Sequence, residues 1–497
     1  MHHWHSIARR GAAAWVAPIV ITGVMLGASR EVRAQSAYLH ALEAAQADHD
    51  QPLQTADDTS QAPAGSAVAN PAPSEGYLFN LQVAKSFGQT LADQGIYIDG
   101  SYTNITLDNV SGGTRTGAIP NGDAVFGINL DMNKIAGVQG AQIHFYVDDR
   151  QGSNFGDYTG TGLVDTNQTY GPNAAFRLQE LTWDQSVLGD HIRFIIGRMN
   201  DLPDFDTFDF ACNFTDFTCA NTAFFYNNDA NSAAPVSAWG GRVTFKPTLA
   251  TYFRIAAEAA DGDGFYNRAN EGWNLSMTHD NGVFLPLEVG YKTDFSSSSY
   301  PSQYDVGGFY DNTGYNYSGQ LFAKTGLLEP VANIATSAPR EGVWAQAAQM
   351  VYRPDRDSKR GITLFGEVEA MVNGYTPIQD EIDAGMVWQG PFAQRPHDNL
   401  NIVGEYYKLG NELVNYQTGT VIAGNSHAAN SMEILQVTYN AAIAPGISIG
   451  PFWEYIVNPD GGGADPNGRV KNATQVGGML QVALPDLLGL PTLARVN

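Results

Sequence analysis

Seven charged side chains carry the chemistry this chain could do: Arg177, Glu180, Arg193, Arg198, Arg242, Arg254 and Glu258. They fall at the polar positions, or at the ends, of segments in which every second residue is apolar. Arginine presents a rigid fork of donors, and a carboxylate offers only acceptors. Placed on one face of an extended segment, such groups brace one another or make charge-assisted hydrogen bonds to an oxygen-rich solute. Neither use is catalysis. A hydrolytic triad needs a serine, a histidine and an acid that orient one another. The nearest arrangement, Gly424-Asn425-Ser426-His427, lacks the Gly-x-Ser-x-Gly elbow, and His144 has no nucleophile beside it. The chain reads as a non-enzyme that needs no cofactor.

A second group lies between residues 200 and 235. Asp201, Asp204, Asp206, Asp209 and Asp216 interleave there with Phe205, Phe208, Phe210, Phe214 and Phe217. Cys212 and Cys219, the only cysteines, sit in the same stretch. In an exported protein this spacing favours a local disulfide, and no histidine lies near enough to suggest a metal site built on the pair. The spaced carboxylates also suit a hard cation such as calcium, or form a plain acidic surface loop.

These residues need a scaffold, and the chain from Gly95 onward supplies one. Phe126, Ile128, Leu130 and Met132 alternate with Gly127, Asn129 and Asp131, and Phe253, Ile255, Ala257 and Ala259 alternate with Arg254, Ala256 and Glu258. Period-two patterning predicts strands with one apolar and one polar face. At Gln179-Glu180 the parity slips by one, as a β-bulge requires, turning Arg177 and Glu180 to the same side. Sixteen such segments follow one another, most about 10 residues long, the length of a tilted strand crossing a bilayer. They include 272–278, while 304–310 is a further option inside a very long loop at 294–341. Short turns (134–139, 185–189, 279–282, 354–360) alternate with long connections (108–122, 150–173, 200–235, 410–430). This alternation predicts an all-β fold, a transmembrane antiparallel barrel with short periplasmic turns and long extracellular loops. A charge facing lipid costs up to a few kcal/mol near the midplane, so the arginines and glutamates belong inside.

The flanks read differently. Residues 1–34 form a signal peptide, with Arg9 and Arg10 before the apolar run Ala12 to Ala28 and small residues at Val32-Arg33-Ala34. Residues 35–75 are a flexible, Pro/Ala/Ser-rich extension. Residues 76–94 are a periplasmic lead-in with a helix expected over Leu81 to Asp93, residues 95–484 the barrel, and 485–497 a tail. The formal charge of −24, three units more negative once the leader is gone, excludes nucleic acid as a partner.

Specific strings carry a resemblance. Arg177-Leu178-Gln179-Glu180-Leu181, Gln185, Gly197 and Cys212-Asn213-Phe214 with Cys219 resemble the carbohydrate-selective, OprB-like porins. So do Glu433-Ile434-Leu435-Gln436-Val437-Thr438-Tyr439, Pro445, Pro451, Tyr455-Ile456, Asn458-Pro459 and Gly461-Gly462. The resemblance implies a sixteen-stranded outer-membrane barrel that passes sugars by diffusion, with outer-membrane lipid around it. It also implies that the third long connection, 200–235, folds into the lumen to form the narrowing. Non-selective small-solute diffusion is the alternative, and the sequence leaves monomer and trimer open.

Overall fold

The computed structural model describes residues 76–494 apart from interruptions, the longest at 225–234, 261–270, 317–334, 415–428 and 460–469. The leader and the 35–75 extension lie outside the described residues. Sixteen antiparallel strands close into one barrel in simple up-and-down order, with the last strand paired to the first. The first eight are β1 (Ile96–Gly113), β2 (Gly117–Asp131), β3 (Ala141–Gln151), β4 (Phe176–Val187), β5 (Ile192–Met199), β6 (Ala238–Phe245), β7 (Thr251–Ala260) and β8 (Gly282–Lys292). The second eight are β9 (Ser302–Asp311), β10 (Arg340–Tyr352), β11 (Gly361–Asn373), β12 (Ile378–Gln389), β13 (Asn399–Leu409), β14 (Ser431–Ala444), β15 (Ile447–Val457) and β16 (Lys471–Ala483). Closure leaves no unpaired strand edge, which lipid would not tolerate.

The strand count matches the sequence reading, but one strand changes place. Residues 272–277 pair with no barrel strand; the eighth and ninth strands are instead Gly282–Lys292 and Ser302–Asp311. Of the turn expected at 279–282, residues 279–281 lie outside the described residues and Gly282 opens β8. The short turn is 293–301, and the very long connection shortens to 312–339. Trp273, Leu275 and Met277 do alternate, and an extended segment shows that pattern whether or not its backbone pairs. Here the segment lies on the outer face of β4–β6. Trp273 Nε1 donates to Phe176 O at 3.3 Å, and Trp239 Nε1 donates to Leu275 O at 3.1 Å.

The first connection is also shorter than expected. β1 and β2 run on as a hairpin, pairing Leu107 with Ile119 and Asn109 with Gly117, so 114–116 alone joins them. Above the membrane a hairpin needs no apolar outer face, and the alternation that marks a strand in sequence fades. The lead-in helix, α1, spans Lys85–Asp93 rather than starting at Leu81. The Gln82 and Ala84 amides are taken by Leu487 O and Leu488 O, and Gln82 takes a positive φ of 36°, so the helix starts only after the turn at 83–84.

Facing parity follows the alternation through most of the barrel. Phe126, Leu181, Ile196, Val289 and Leu435 are exposed and their neighbours are buried, and Phe253 is exposed beside the buried Tyr252. Burying apolar groups in lipid while backbone groups pair is what holds such a wall. The lumen is not uniformly polar. Phe284, Phe309, Trp344, Met371, Tyr407 and Ile434 pack inward with Val164, Phe205 and Phe224 from the long connections. Trp344, 3 % exposed, lies inside with them.

Candidate functional site

The slip in β4 is a bulge. Glu180 pairs with Tyr146 and Leu178 with Val147, leaving Gln179 over. Arg177 and Glu180 consequently both face the lumen side and are buried. Arg177 lies opposite Asp148 on β3, with Nη1 3.4 Å from Ala175 O. Glu180 accepts from Thr182 Oγ1 at 2.6 Å. Arg193, toward the periplasmic end of β5, forks onto the Asp184 carboxylate. Asp184 Oδ2 also stands 3.5 Å from His144 Nε2, whose Nδ1 lies 2.6 Å from Asn129 Oδ1.

Arg198 is the exception. It pairs in register with Leu181 and Trp239, both on the outer face. Its guanidinium donates to Ser237 O, to Ser237 Oγ at 3.3 Å and to Asn274 O at 3.3 Å, beneath the 271–277 segment. It is a clasp for that segment and does not line the lumen.

Arg242, Arg254 and Glu258 come together on β6 and β7, and the 200–237 connection folds in against them. Arg242 pairs with Asp204. Arg254 reaches Glu288 Oε1 at 3.6 Å and Asp204 Oδ1 at 3.9 Å, and its guanidinium lies over the Tyr252 ring at 4.3 Å. The Phe205 ring is 5.8 Å from the same cation. Glu288 is saturated: Tyr252 OH donates at 2.9 Å, Asp206 N at 3.0 Å and Trp344 Nε1 at 3.2 Å. Glu258 lies on the same wall, its stem close to Gly240. The constellation combines a cation, two aromatic faces and fixed carboxylates, the groups that grip hydroxyls and stack on C–H faces.

The connection is held in the lumen mostly by neutral amides, which the sequence reading passed over. Gln303 and Gln346 donate to Thr207 O at 2.8 and 3.2 Å. Gln436 accepts from Thr215 N at 2.9 Å and donates to Asp216 Oδ2 at 3.0 Å. Gln481 donates to Cys212 O at 2.8 Å, and Phe208, Phe210 and Phe214 surround Phe365. Each of these glutamines occupies an inward strand position, so parity was the signal that could have found them. Cys212 is disulfide-bonded, while Cys219, Asp201 and Phe217 lie outside the described residues, as do Ser426 and His427. Among the described residues no cluster is arranged to hold a metal ion.

The two sides of the lumen differ in charge. Arg150, Arg177, Arg193, Arg242 and Arg254 all lie on β3–β7. The buried inward positions of β11–β16 carry Glu367, Glu369, Glu381, Asp383, Glu405 and Glu454 and neither arginine nor lysine. Glu367, Asp383 and Glu405 stand in register across three neighbouring strands. The inward-folded connection lies between, binding the acidic wall through Phe224 N to Glu381 Oε2 at 2.5 Å.

Comparison with known proteins places this geometry. A family model described as carbohydrate-selective porin, OprB family, matches residues 115–484. Porin B of Pseudomonas aeruginosa is 25% identical over 423 residues, covering 79% of this chain and 88% of that protein. The putative porin QuiX of Acinetobacter baylyi is 24% identical over 403 residues, covering 75% and 87%. The high-pH structure of Pseudomonas putida OprB superposes with a TM-score of 0.69 at 21% identity, over 83% of this chain and 100% of that one.

Proposed function

The chain belongs to the carbohydrate-selective porin, OprB family, and from that premise we propose that sugars cross it by diffusion at a narrowing built from the inward-folded connection and the β6–β8 wall. The protein is an outer-membrane β-barrel porin for carbohydrates; the residues of the narrowing are our reading. The observation that carries it is the Arg254 guanidinium lying over the Tyr252 ring, with Phe205 near it, balanced by Asp204 and Glu288. A sugar hydroxyl can take hydrogen bonds from the guanidinium while a ring C–H face rests on an aromatic ring. Arg242 serves this group by fixing Asp204, and Glu258 adds an acceptor above it. Arg177 and Glu180 extend the same polar wall toward the extracellular end, and Arg193 with Asp184 extends it toward the periplasm. The acidic β11–β16 wall faces the arginine side through the connection, so the field across the passage has a fixed direction, which orients a dipolar solute. No step of bond making is involved, and the buried His144 pairs with Asn129 and Asp184 as part of the wall.

Swelling of liposomes carrying the protein, with a panel of neutral sugars and a small-ion conductance control, tests this reading. Arg254→Ala is expected to slow monosaccharide entry severalfold and leave heat-modifiable barrel folding intact, with ion conductance unchanged or higher. Unchanged sugar entry in a folded Arg254→Ala protein would place the narrowing elsewhere. Equal entry of sugars and of unrelated neutral solutes of the same size would favour non-selective diffusion.

A further inference from the structure

The two chain ends cross beneath the seam where β16 meets β1. From Gly76 the N-terminal segment follows the periplasmic rim of the late strands. Gly76 O accepts from Arg395 Nη1 at 3.1 Å, in the turn between β12 and β13, and Tyr77 stacks on His397 at 4.4 Å. Leu78 N then donates to Ile443 O near the end of β14 at 2.8 Å. Gln82 N and Ala84 N donate to Leu487 O and Leu488 O, at the end of the short helix Leu484–Leu488 that follows β16. α1 finally leads into β1. The C-terminal tail runs the other way, under β1 and β2, to β3. There Gln142, a lumen-facing residue, donates through Nε2 to Ala494 O at 3.0 Å.

This crossing fixes the N-terminal segment at the rim. Gly88 of α1 packs on the tail so closely that an added Cβ would stand 2.7 Å from Pro491 Cδ. The segment is thereby held at the periplasmic ends of β14 and β16, through Leu78 N to Ile443 O and through Gln82 N and Ala84 N to Leu487 O and Leu488 O. In this segment Leu78, Phe79, Leu81, Val83 and Phe87 are all exposed, with Val83 at 74 %. Five exposed large apolar groups in ten residues make a patch that water disfavours. These groups lie at the rim where the lipid-facing wall of the late strands ends, and Lys85 stands among them.

We propose that residues 78–87 are an interfacial anchor whose apolar face enters the headgroup–acyl boundary of the inner leaflet of the outer membrane. The occupant is phospholipid, met by an extended apolar stretch and the first turn of α1 rather than by a spanning element. The proposal rests on the barrel lying in the membrane and does not depend on which solute passes.

Single cysteines carrying an environment-sensitive fluorophore test it in the full mature chain, labelled without reductant so that the Cys212 disulfide stays closed. The proteins are reconstituted in phosphatidylcholine vesicles with or without brominated acyl chains. Val289→Cys, on the lipid-facing wall, and Asp357→Cys, in a periplasmic turn, set the two limits. The Val83→Cys probe is expected to shift to the blue and to lose a fraction of its emission close to that of the Val289→Cys probe. Emission that tracks the Asp357→Cys probe, while Val289→Cys is quenched as expected, would overturn the anchor and leave the membrane reading standing. Deleting residues 35–75 is expected to change nothing. If quenching at Val83→Cys appears only after that deletion, the upstream chain covers the face and the lipid assignment fails.

Discussion

Single side chains here divide by what their charge is held against. Arg242 and Asp204 are both buried, so removing one partner leaves the other uncompensated in a dry setting, at a cost of about 3–5 kcal/mol. Arg242→Met is therefore expected to lower the temperature at which the folded band disappears on gels, and to free the inward connection enough for a protease to cut it. Arg198 makes the opposite case. Its guanidinium lies on the outer face and closes on carbonyl oxygens of Ser237 and Asn274. Arg198→Met should leave sugar entry at the parent rate. It should also release the 271–277 segment, which a red shift in Trp273 emission would report. A fall in sugar entry as large as that of Arg254→Ala would return Arg198 to the narrowing. Parity separates the two: Arg198 shares the register of Ile192, Phe194 and Ile196, while Arg242 falls opposite to Val243 and Phe245.

At the scale of elements, the inward connection is held by side chains from many strands, and its disulfide closes only a short loop. A disulfide stabilises mainly by limiting the unfolded chain, and less so for a short loop. Gln436, in contrast, ties Thr215 and Asp216 of the connection to Glu454 of β15. Replacing it with leucine strands buried polar groups at about 1–3 kcal/mol each. Reduction of the disulfide is thus expected to change single-channel conductance little, whereas Gln436→Leu should raise conductance noise and mean current. Equal effects from both changes would mean that the amide grip is not what holds the connection.

Across the whole molecule, the relocated ninth strand decides which way the chain faces between residues 261 and 339. With β8 at Gly282–Lys292 and β9 at Ser302–Asp311, the 293–301 turn falls on the side of the short turns, and the connections 261–281 and 312–339 on the side of the long ones. Asp294 gives that turn its shape, its Oδ1 accepting from the amides and hydroxyls of Ser296 and Ser297. An epitope placed in 293–301 should stay hidden on intact cells, as should one in 354–360. Epitopes in 312–339 or 410–430 should be reached by antibody. Labelling of 293–301 from outside would restore the longer loop that the alternation at 272–278 suggests.

Much of this was legible because a barrel wall obeys a local rule. Lipid on one side and a packed or wet lumen on the other force every second residue to be apolar outward, and each strand carries that mark by itself. The barrel, its sixteen strands, the asymmetry of its connections and the inward placement of Arg177, Glu180, Arg242, Arg254 and Glu258 all follow from it. So does the bulge at Gln179, since a parity slip is visible in one dimension. What the rule cannot convey is where an extended segment finds its partners. Residues 272–277 alternate as a strand does, yet lie on the wall instead of in it, and β1 and β2 pair well beyond their apolar stretch. Nor does parity say what an inward side chain meets across the lumen. Arg254 joins Asp204 and Phe205 about fifty residues earlier, Gln481 holds Cys212, and Gln142 holds Ala494. Those contacts exist only once the barrel has closed and its connections and ends have folded back on it, because closure is what brings residues hundreds apart in the chain within a hydrogen bond of each other.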